Sequence, residues 1–395
     1  MTSRFWQRYT QAYAGLPGEA WILAGINLIN AAGTMVVFFM TLYMTQTFGF
    51  TPARAGRIIA AFGVGMLAGT VLGGKLADKI GTRAVQKASL IASGGVLIIL
   101  GYERNLPLLV VLVFLCGIGN GALFPANVSA MAEICGPSDR SRGFALNRLA
   151  SNLGATIGPV AGGFLAQWDY RFLFWGDGLT SLLAALALFI FLPGVALKKN
   201  SPKLEPILRA EGGNAKGALW RLLPCTFGSA LIFSQLYGAL PLYLHSAYRL
   251  SENLIGLAIA LNPVMIVLVQ MSVTYGVERF PKARVAAAGT AFLAAGFGLL
   301  PLGFGFAFAL LSTAVWTIGE MLLLPTQLTM ISTLAPEGAQ GTYQGFNSLA
   351  FGLGVVFGPM LGTQVLEKAG AEALWFGLAG VGLIVSIAYL RSNNQ

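Results

Sequence analysis

Three ionisable residues lie deep inside long apolar segments of this 395-residue chain, where a charge is costly and therefore indicates function. Glu320, near the centre of the segment 305–333, is our candidate proton carrier, because a buried carboxyl group can exchange a proton with a water-filled cavity. Asp177 is a second candidate proton-coupling residue, with an interfacial role as the alternative. Arg148 is a candidate to contact an anionic substrate group, to balance an acid or to extend to the cytoplasmic surface.

Neutral polar side chains recur at helical spacing in several apolar segments. Asn27, Asn30 and Thr34 share one helical face because they stand at i, i+3 and i+7. The other predicted substrate-binding residues, besides Arg148, are Asn120, Phe124, Asn127, Gln235, Tyr237, Trp316 and Gln327. These faces predict a polar cavity with aromatic and aliphatic walls, which suits an amphipathic organic substrate. The alternative is that the amides only bind neighbouring helices together.

Charge is scarce throughout the chain, which is 56% hydrophobic and 10% charged, with a mean hydropathy of +0.71. Soluble domains carry about 25% charged residues, so the composition excludes an ordinary water-soluble enzyme, a disordered chain and a secreted disulfide scaffold. Since a spanning helix needs about 20 apolar residues, the sequence predicts an all-α membrane protein with twelve transmembrane helices. The predicted spans are 20–46, 55–78, 84–102, 107–132, 142–167, 171–192, 221–247, 253–275, 283–302, 305–333, 342–366 and 372–391.

One long polar stretch, residues 196–219, divides the chain into an N-terminal six-helix bundle, 1–195, and a C-terminal six-helix bundle, 220–395. Lys and Arg concentrate in the loops on the side of this stretch. The positive-inside rule therefore predicts a cytoplasmic linker and cytoplasmic N- and C-termini. The formal charge of +10 follows from this topology, and we expect no nucleic-acid partner.

The two halves repeat at an offset of 200 residues. Residues 147, 149, 150, 153, 154, 158, 159 and 162 are identical to those 200 positions later, without a gap. After six spans the chain returns to its starting side of the membrane, so both copies have the same orientation. Parallel repeats about an axis along the membrane normal are typical of two-bundle transporters.

The loop 74–83 reads GKLADKIGTR. It resembles the signature loop of the major facilitator superfamily, G-x-L-A-D-[RK]-x-G-[RK]-[RK], and departs from it only at Thr82. The resemblance implies that charges near this loop pair with neighbouring helices and latch one bundle against the other. The implied gating residues are Gly74, Asp78, Gly81, Arg83, Glu133 and Arg142. Ordinary interfacial anchoring is the alternative.

A second motif occurs once in each half and consists of small residues followed by a proline. Its members are Gly154, Gly158, Pro159, Gly162, Gly354, Gly358, Pro359 and Gly362. It resembles the helix-5 motif G-x-x-x-G-P-x-x-G-G of the same superfamily, which is enriched in proton-coupled drug exporters. Small residues at i and i+4 let another helix pack closely, and proline bends the helix, so we interpret these as helix-packing residues.

The resemblance covers the whole chain and implies two six-helix bundles related by pseudo-two-fold symmetry. In this superfamily helices 1, 4, 7 and 10 line the central cavity. We therefore expect a secondary active transporter that exports small amphipathic organic molecules by drug/proton antiport and alternating access. The alternatives are a proton-coupled symporter that imports a peptide, siderophore or organic acid, and a lipid flippase.

The sequence contains neither the phosphate-binding motif G-x-x-x-x-G-K-[ST] nor the nucleophile motif G-x-S-x-G, so we expect no enzyme. Cys116, Cys135 and Cys225 have no metal-ligand spacing, so we expect neither a metal nor a cofactor. The expected partners are a small-molecule substrate, protons and the lipid bilayer. We expect a monomeric, multi-pass protein of the cell membrane, in bacteria the inner membrane.

Overall fold

The computed structural model describes residues 14–194, 213–336 and 339–392, and over these ranges the chain is built mainly from α-helices. The helices of the first half are α1 (Gly18–Gly33), α2 (Val36–Phe48), α3 (Pro52–Ile80), α4 (Thr82–Leu100), α5 (Leu106–Gly136), α6 (Ser138–Trp168) and α7 (Tyr170–Phe191). Those of the second half are α8 (Gly213–Phe233), α9 (Ala239–Ser246), α10 (Glu252–Val277), α11 (Lys282–Leu299), α12 (Gly305–Leu334), α13 (Gln340–Lys368) and α14 (Gly370–Ser392). Short 3₁₀ turns lie at Ser234–Tyr237 and Leu300–Leu302.

Within the described residues, eleven helical stretches are long and apolar enough to cross a membrane, when α1 and α2 are counted as one stretch. The bent pair of α8 and α9 makes a twelfth if it forms a single span. α5 and α6 are separated by Gly136, whose φ of 65° is unfavourable for other residues and interrupts the helix. The predicted all-α membrane fold is therefore confirmed.

The first predicted span, 20–46, is not one continuous helix. α1 ends at Gly33 and α2 begins at Val36, because Thr34 between them has a non-helical ψ of 81°. The Thr34 hydroxyl donates a hydrogen bond of 3.2 Å to the carbonyl of Asn30, a local bond that competes with regular helix pairing. The sequence gives no proline at this point, so the break was not predicted.

The seventh predicted span, 221–247, is also interrupted. The 3₁₀ turn Ser234–Tyr237 follows α8, and the helix axis bends by 45° before α9. Pro241 lacks an N–H group and cannot bond the carbonyl of Tyr237, which helps to end the regular pairing here. Positions 34 and 234 correspond at the offset of 200 residues, so the breaks occupy equivalent places in the two halves.

The described residues form two compact units. Unit 1 takes the described residues of Met1–Val36 and Val64–Ser201, and unit 2 takes those of Val37–Gly63 and Pro202–Gln395. Residues 37–63, which comprise α2 beyond its first residue and the first part of α3, therefore belong to unit 2. This grouping depends on long-range contacts and has no counterpart in the sequence pattern.

The predicted linker, 196–219, lies mostly outside the described residues, since 195–212 are not among them. Its last part, from Gly213 onward, belongs to α8. The predicted domain boundaries at residues 195 and 220 therefore stay a prediction.

The small-residue motif of unit 1 lies where α6 packs on α1. A Cβ atom at Gly154 would lie 2.6 Å from the Cβ of Ala31 and 2.7 Å from the carbonyl oxygen of Leu28. At Gly158 it would lie 2.7 Å from the carbonyl oxygen of Thr34. These distances are too short for any side chain, so glycine is required for the two backbones to approach. Pro159 and Gly162, on the same helix, are buried.

The second copy of the motif makes the equivalent contact inside unit 2, where α13 packs on α8. A Cβ atom at Gly354 would lie 2.5 Å from the Cβ of Ala230, and one at Gly358 would lie 2.9 Å from the carbonyl oxygen of Leu231. Gly362 lies against the side chain of Gln235. Pro359 is buried within α13. In each half, therefore, the small-residue motif packs against the interrupted span of that half.

We predict that Gly158→Ala destabilises the protein by about 1–3 kcal/mol, because the added methyl group must displace backbone rather than a flexible side chain. Thermal unfolding of the purified protein in detergent measures this change. Gly377→Ala in α14 is the matched control, because no atom lies within 4 Å of the added methyl group there. Equal melting temperatures for the two variants would contradict the assignment of Gly158 to helix packing.

Candidate functional site

Glu320 lies in the middle of α12 and is half-buried. The side-chain amide of Asn262, on α10, donates a hydrogen bond of 2.6 Å to its carboxylate and one of 3.1 Å to the hydroxyl of Thr317. Tyr237 is close enough to interact electrostatically with the same carboxylate. The predicted proton carrier thus has an amide partner that the sequence alone did not assign to it.

Four amides from different helices of unit 1 form a continuous hydrogen-bonded group, which we call the unit 1 amide cluster: Asn27, Gln86, Asn127 and Asn147. Asn27 donates to Asn147 at 3.0 Å and to the hydroxyl of Ser151 at 2.6 Å. Asn127 donates to Asn27 at 3.3 Å, and Gln86 donates to Asn127 at 2.6 Å. The structure therefore brings the predicted residues Asn27 and Asn127 together.

Unit 2 contains a corresponding group of Thr226, Gln327 and Asn347, the unit 2 polar cluster. The amide of Gln327 donates to the hydroxyl of Thr226, which in turn donates to Asn347 at 2.9 Å. Gln327 and Asn347 are the equivalents of Asn127 and Asn147 at the offset of 200 residues. The repeat therefore extends from sequence to side-chain contacts.

The two clusters differ in burial. All three members of the unit 2 polar cluster are buried, with Thr226 completely so. In the unit 1 amide cluster, Asn27, Asn127 and Asn147 are only partly buried. The unit 1 amide cluster thus keeps surface for a ligand, while the bonds of Gln327 favour helix–helix cohesion over substrate contact.

Other predicted substrate-binding residues of unit 1 are distributed along α1, α5 and α6. Asn30 accepts a hydrogen bond of 3.4 Å from Ser181, and Asn120 donates to the carbonyl of Cys116 on its own helix at 3.0 Å. Phe124 is 69% exposed, and Arg148 is also exposed. Phe124 and Arg148 remain available to a ligand, whereas the amide of Asn120 is bonded to its own helix.

The predicted substrate-binding residues of unit 2 are less accessible. Gln235 is completely buried and donates to the carbonyls of Leu231 at 3.0 Å and Gly358 at 2.8 Å. Trp316 is completely buried and stacks on Phe297, with ring centroids 5.6 Å apart. Tyr237 is half-buried. Of the predicted set in this unit, Tyr237 is therefore better placed for ligand contact than Gln235 or Trp316.

The predicted gating loop, at the junction of α3 and α4, contains one strongly anchored charge. Arg83 is 8% exposed; its guanidinium lies 3.6 Å from the carboxylate of Glu19 and donates to the carbonyl of Leu192 at 3.3 Å. Gly81 has a φ of 94°, a conformation that favours glycine. Gly74 and the exposed Asp78 lie on the last turns of α3. The loop thus ties the start of α1 to the end of α7.

Thr82, the position of the loop that departs from the signature, reaches one of the predicted partners. The hydroxyl of Thr82 donates a hydrogen bond of 3.0 Å to the carboxylate of Glu133 on α5. Arg142, on α6, pairs with Asp139 at 2.8 Å and also donates to the carbonyl of Ala14. A neutral hydroxyl therefore bonds the loop to Glu133.

Asp177 is 8% exposed and lies on α7, next to the break in the first span. Its carboxylate accepts hydrogen bonds of 3.3 Å from the backbone N–H groups of both Met35 and Val36. The first N–H groups of a helix lack partners within that helix. Asp177 therefore caps the start of α2 from a neighbouring helix.

Sequence reasoning missed several residues of these groups. Gln86 stands with Ser89 and Ser93 at i, i+3 and i+7 in the third predicted span, a polar face that was not predicted to belong to a site. Asn147 was visible as an identity between the two halves, and Asn262 as a polar residue in a predicted span. The repeat could have identified Asn147 as a site residue. A polar residue inside a span is costly unless it forms a hydrogen bond, so its presence at the same place in both halves indicates such a bond in each.

The chain is similar to known transporters over most of its length. The sequence profile of the Major Facilitator Superfamily matches residues 22–347 and 222–394. The uncharacterized MFS-type transporter YttB of Bacillus subtilis is 28% identical over 380 residues, with 94% of each chain covered. The multidrug resistance protein MdtH of Aeromonas salmonicida is 25% identical over 374 residues, with 92% of each chain covered. The crystal structure of a POT family transporter with 5-aminolevulinic acid has the same fold, with a TM-score of 0.83 at 18% identity, covering 96% of this chain and 97% of the other.

We predict that Thr226→Val destabilises unit 2 by about 1–3 kcal/mol, because the isosteric change leaves the buried amides of Gln327 and Asn347 without their shared partner. Unfolding of the purified protein in detergent measures the loss. Thr290→Val is the matched control, since Thr290 is equally buried but donates only to the carbonyl of Ala286 on its own helix. A loss of stability no larger than that of Thr290→Val would show that the unit 2 polar cluster does not hold its helices together.

Proposed function

Since this chain belongs to the Major Facilitator Superfamily, we propose that it is a secondary active transporter that exports small amphipathic organic molecules in exchange for protons. The proposal rests chiefly on Glu320, a carboxylate in the middle of a membrane-spanning helix with an amide donor at 2.6 Å. An acid in this position has few structural reasons to exist and is a functional residue by default.

Glu320 has the chemistry that a proton carrier needs. Its ionised form accepts a hydrogen bond from Asn262, and an amide can also present its oxygen to a protonated carboxyl group. Glu320 is only half-buried, so that a proton can reach it through water. In our proposal, proton binding favours one facing state of the transporter and substrate binding favours the other.

The unit 1 amide cluster and Phe124 support an amphipathic substrate. Asn27, Asn127 and Asn147 offer partly exposed amides, and the exposed ring of Phe124 offers an apolar surface on α5. A small number of polar groups among apolar side chains is typical of sites for organic molecules. The similarity to a multidrug resistance protein over 92% of the chain supports the same substrate class.

We further propose that the protein resides in the cell membrane, in bacteria the inner membrane, with both termini in the cytoplasm. The distribution of Lys and Arg among the loops supports this orientation. We also propose that the transporting species is the monomer and that the loop at residues 74–83 takes part in gating.

We predict that Glu320→Gln abolishes uphill transport driven by a proton gradient but preserves binding and downhill exchange of substrate, because glutamine keeps the shape of the side chain and cannot ionise. Proteoliposomes with an imposed pH gradient and a fluorescent amphipathic dye measure both activities. Glu372→Gln, at an exposed glutamate in the first turn of α14, is the matched control. Gradient-driven uphill transport by Glu320→Gln at the parental rate would overturn the assignment of the proton carrier.

A proton symporter that imports an organic acid is the second candidate function. It is favoured by Arg148, an exposed guanidinium adjacent in sequence to Asn147 of the unit 1 amide cluster. The direction of transport decides between the two candidates. Under this second candidate, a proton gradient drives an organic anion in the same direction as the proton, and Arg148→Ala raises KM for the anion but not for a cationic dye.

A further inference from the structure

The break in the first span frees backbone groups of two buried residues, Met35 and Val36. In a continuous helix, the N–H groups of Met35 and Val36 would bond to carbonyls four residues earlier. Because Thr34 is non-helical, this pairing is interrupted. The carboxylate of Asp177 accepts both, each at 3.3 Å. One carboxylate oxygen of α7 thus accepts both hydrogen bonds at the start of α2.

Asp177 is held close to this break by tight packing. A Cβ atom at Gly33 would overlap the side chain of Thr180, one turn after Asp177 on α7. The hydroxyl of Thr180 donates to the carbonyls of Gly176 and Asp177 at 2.9 and 3.0 Å, so it is occupied locally. Glycine at position 33 therefore allows α7 to bring its carboxylate to the freed N–H groups.

The charge of Asp177 is not balanced by a basic residue in the part of the chain that the structure describes, where none of the ion pairs includes it. The titratable group that faces it there is the buried thiol of Cys116 on α5. The break and the start of α2 contribute the two N–H groups; α2 has no charged side chain, and the charged residue of α1, Glu19, lies at the opposite end of that helix beside Arg83. Its ionised form is therefore stabilised by the two backbone N–H bonds, which exist only while α2 begins at Val36.

From its second residue onward, α2 belongs to residues 37–63, which are part of unit 2 and which we call the gate segment. The hydroxyl of Thr41 donates to the carbonyl of Gly238 at 3.1 Å, in the break of the seventh span. The backbone N–H of Ala53, in the first turn of α3, donates to the carboxylate of Glu367 at 2.7 Å. The gate segment is thus bonded to unit 2 at both of its helices.

We propose that Asp177 positions the gate segment: its ionised carboxylate holds the start of α2, and uptake of a proton by this carboxylate releases α2 and with it the rest of the gate segment. Protonation removes the charge that strengthens the two N–H bonds, which become weaker neutral ones. This inference rests on the proposed proton-coupled transport and assigns to Asp177 a different part from that of Glu320.

A capping aspartate of ordinary type occurs on the same helix and allows a comparison. Asp169 precedes α7 and accepts the N–H of Arg171 at 2.8 Å, but it is exposed. Water can replace its carboxylate, whereas Met35 and Val36 are buried and depend on Asp177 for their hydrogen bonds. Asp169→Asn is therefore the matched control for Asp177→Asn.

The experiment measures the distance between spin labels at Thr47→Cys and Ser246→Cys. Both positions are exposed, and their neighbours Gln46 and His245 are in contact at 2.6 Å. The native cysteines are buried and leave the introduced ones as the accessible labelling sites. All variants carry His245→Gln, so that titration of the imidazole cannot move the gate segment.

In liposomes, we expect the His245→Gln protein to show a short distance at mildly alkaline pH and a growing population of longer distances at mildly acidic pH. Asp177→Asn should show the longer distances at both pH values. At alkaline pH, its ratio of the long-distance to the short-distance population should be about tenfold higher than that of the parent, as expected for loss of bonds to a charged group. Asp177→Glu should restore part of the pH response. Asp169→Asn should behave as the parent.

An Asp177→Asn protein with the parental distances and the parental pH response would overturn the inference. So would a parent whose distances do not change with pH, a result that does not depend on whether any Asp177 variant folds. Neither outcome concerns Glu320. Uphill transport by Glu320→Gln would overturn the proposed proton carrier while leaving the distance measurements at Asp177 unaffected.

Discussion

Hydrocarbon offers no water to an unpaired backbone group, so a helix can be interrupted inside a membrane only where the protein supplies the missing partners. Both interrupted spans of this protein obey that constraint, with different side chains. At the break after α1, the freed N–H groups bond to Asp177, a residue of α7. At the break after α8, the buried amide of Gln235 bonds to the carbonyls of Leu231 and Gly358. Ser234 also donates to the carbonyl of Gly354 there. At each break, therefore, polar side chains link the broken span to a second helix of its own unit.

The same constraint gives the small-residue motifs their position. Helices in a membrane gain little from the hydrophobic effect and are held instead by close backbone packing and interhelical hydrogen bonds. Gly158 lies against the carbonyl oxygen of Thr34, at the break itself, and Gly358 lies against that of Leu231, just before the other break. The motif and the break are thus two parts of one arrangement. The break leaves an irregular stretch of backbone, and the glycines of the neighbouring helix let that helix pack directly against it. This explains why both features recur at the same offset of 200 residues.

Much of the fold could be predicted because it follows from local properties of the chain. Apolar length and the scarcity of charge define the spans and isolate Glu320, and helical spacing places Asn27 on a polar face. The break at Thr34 could not be predicted, since the run 20–46 contains no proline and reads as one helix. The role of Asp177 was also hidden, because its partners are backbone N–H groups, which every residue except proline carries. The grouping of residues 37–63 with unit 2 depends on contacts between residues far apart in sequence, which periodicity does not record.

The two acids show how the halves of a repeated protein can take different tasks. At the offset of 200 residues, Glu320 corresponds to Asn120 and Asp177 to Gly377, so neither acid has an ionisable counterpart. Their partners differ in kind. Asn262 carries both a donor and an acceptor, so a protonated Glu320 can keep a hydrogen bond to the same side chain. The N–H groups of Met35 and Val36 can only donate, so a protonated Asp177 loses part of its hold on them. A carboxyl group with an amide partner tolerates both of its charge states and is suited to carrying a proton through a cycle, whereas one bonded to helix N–H groups converts a change of charge into movement of the backbone.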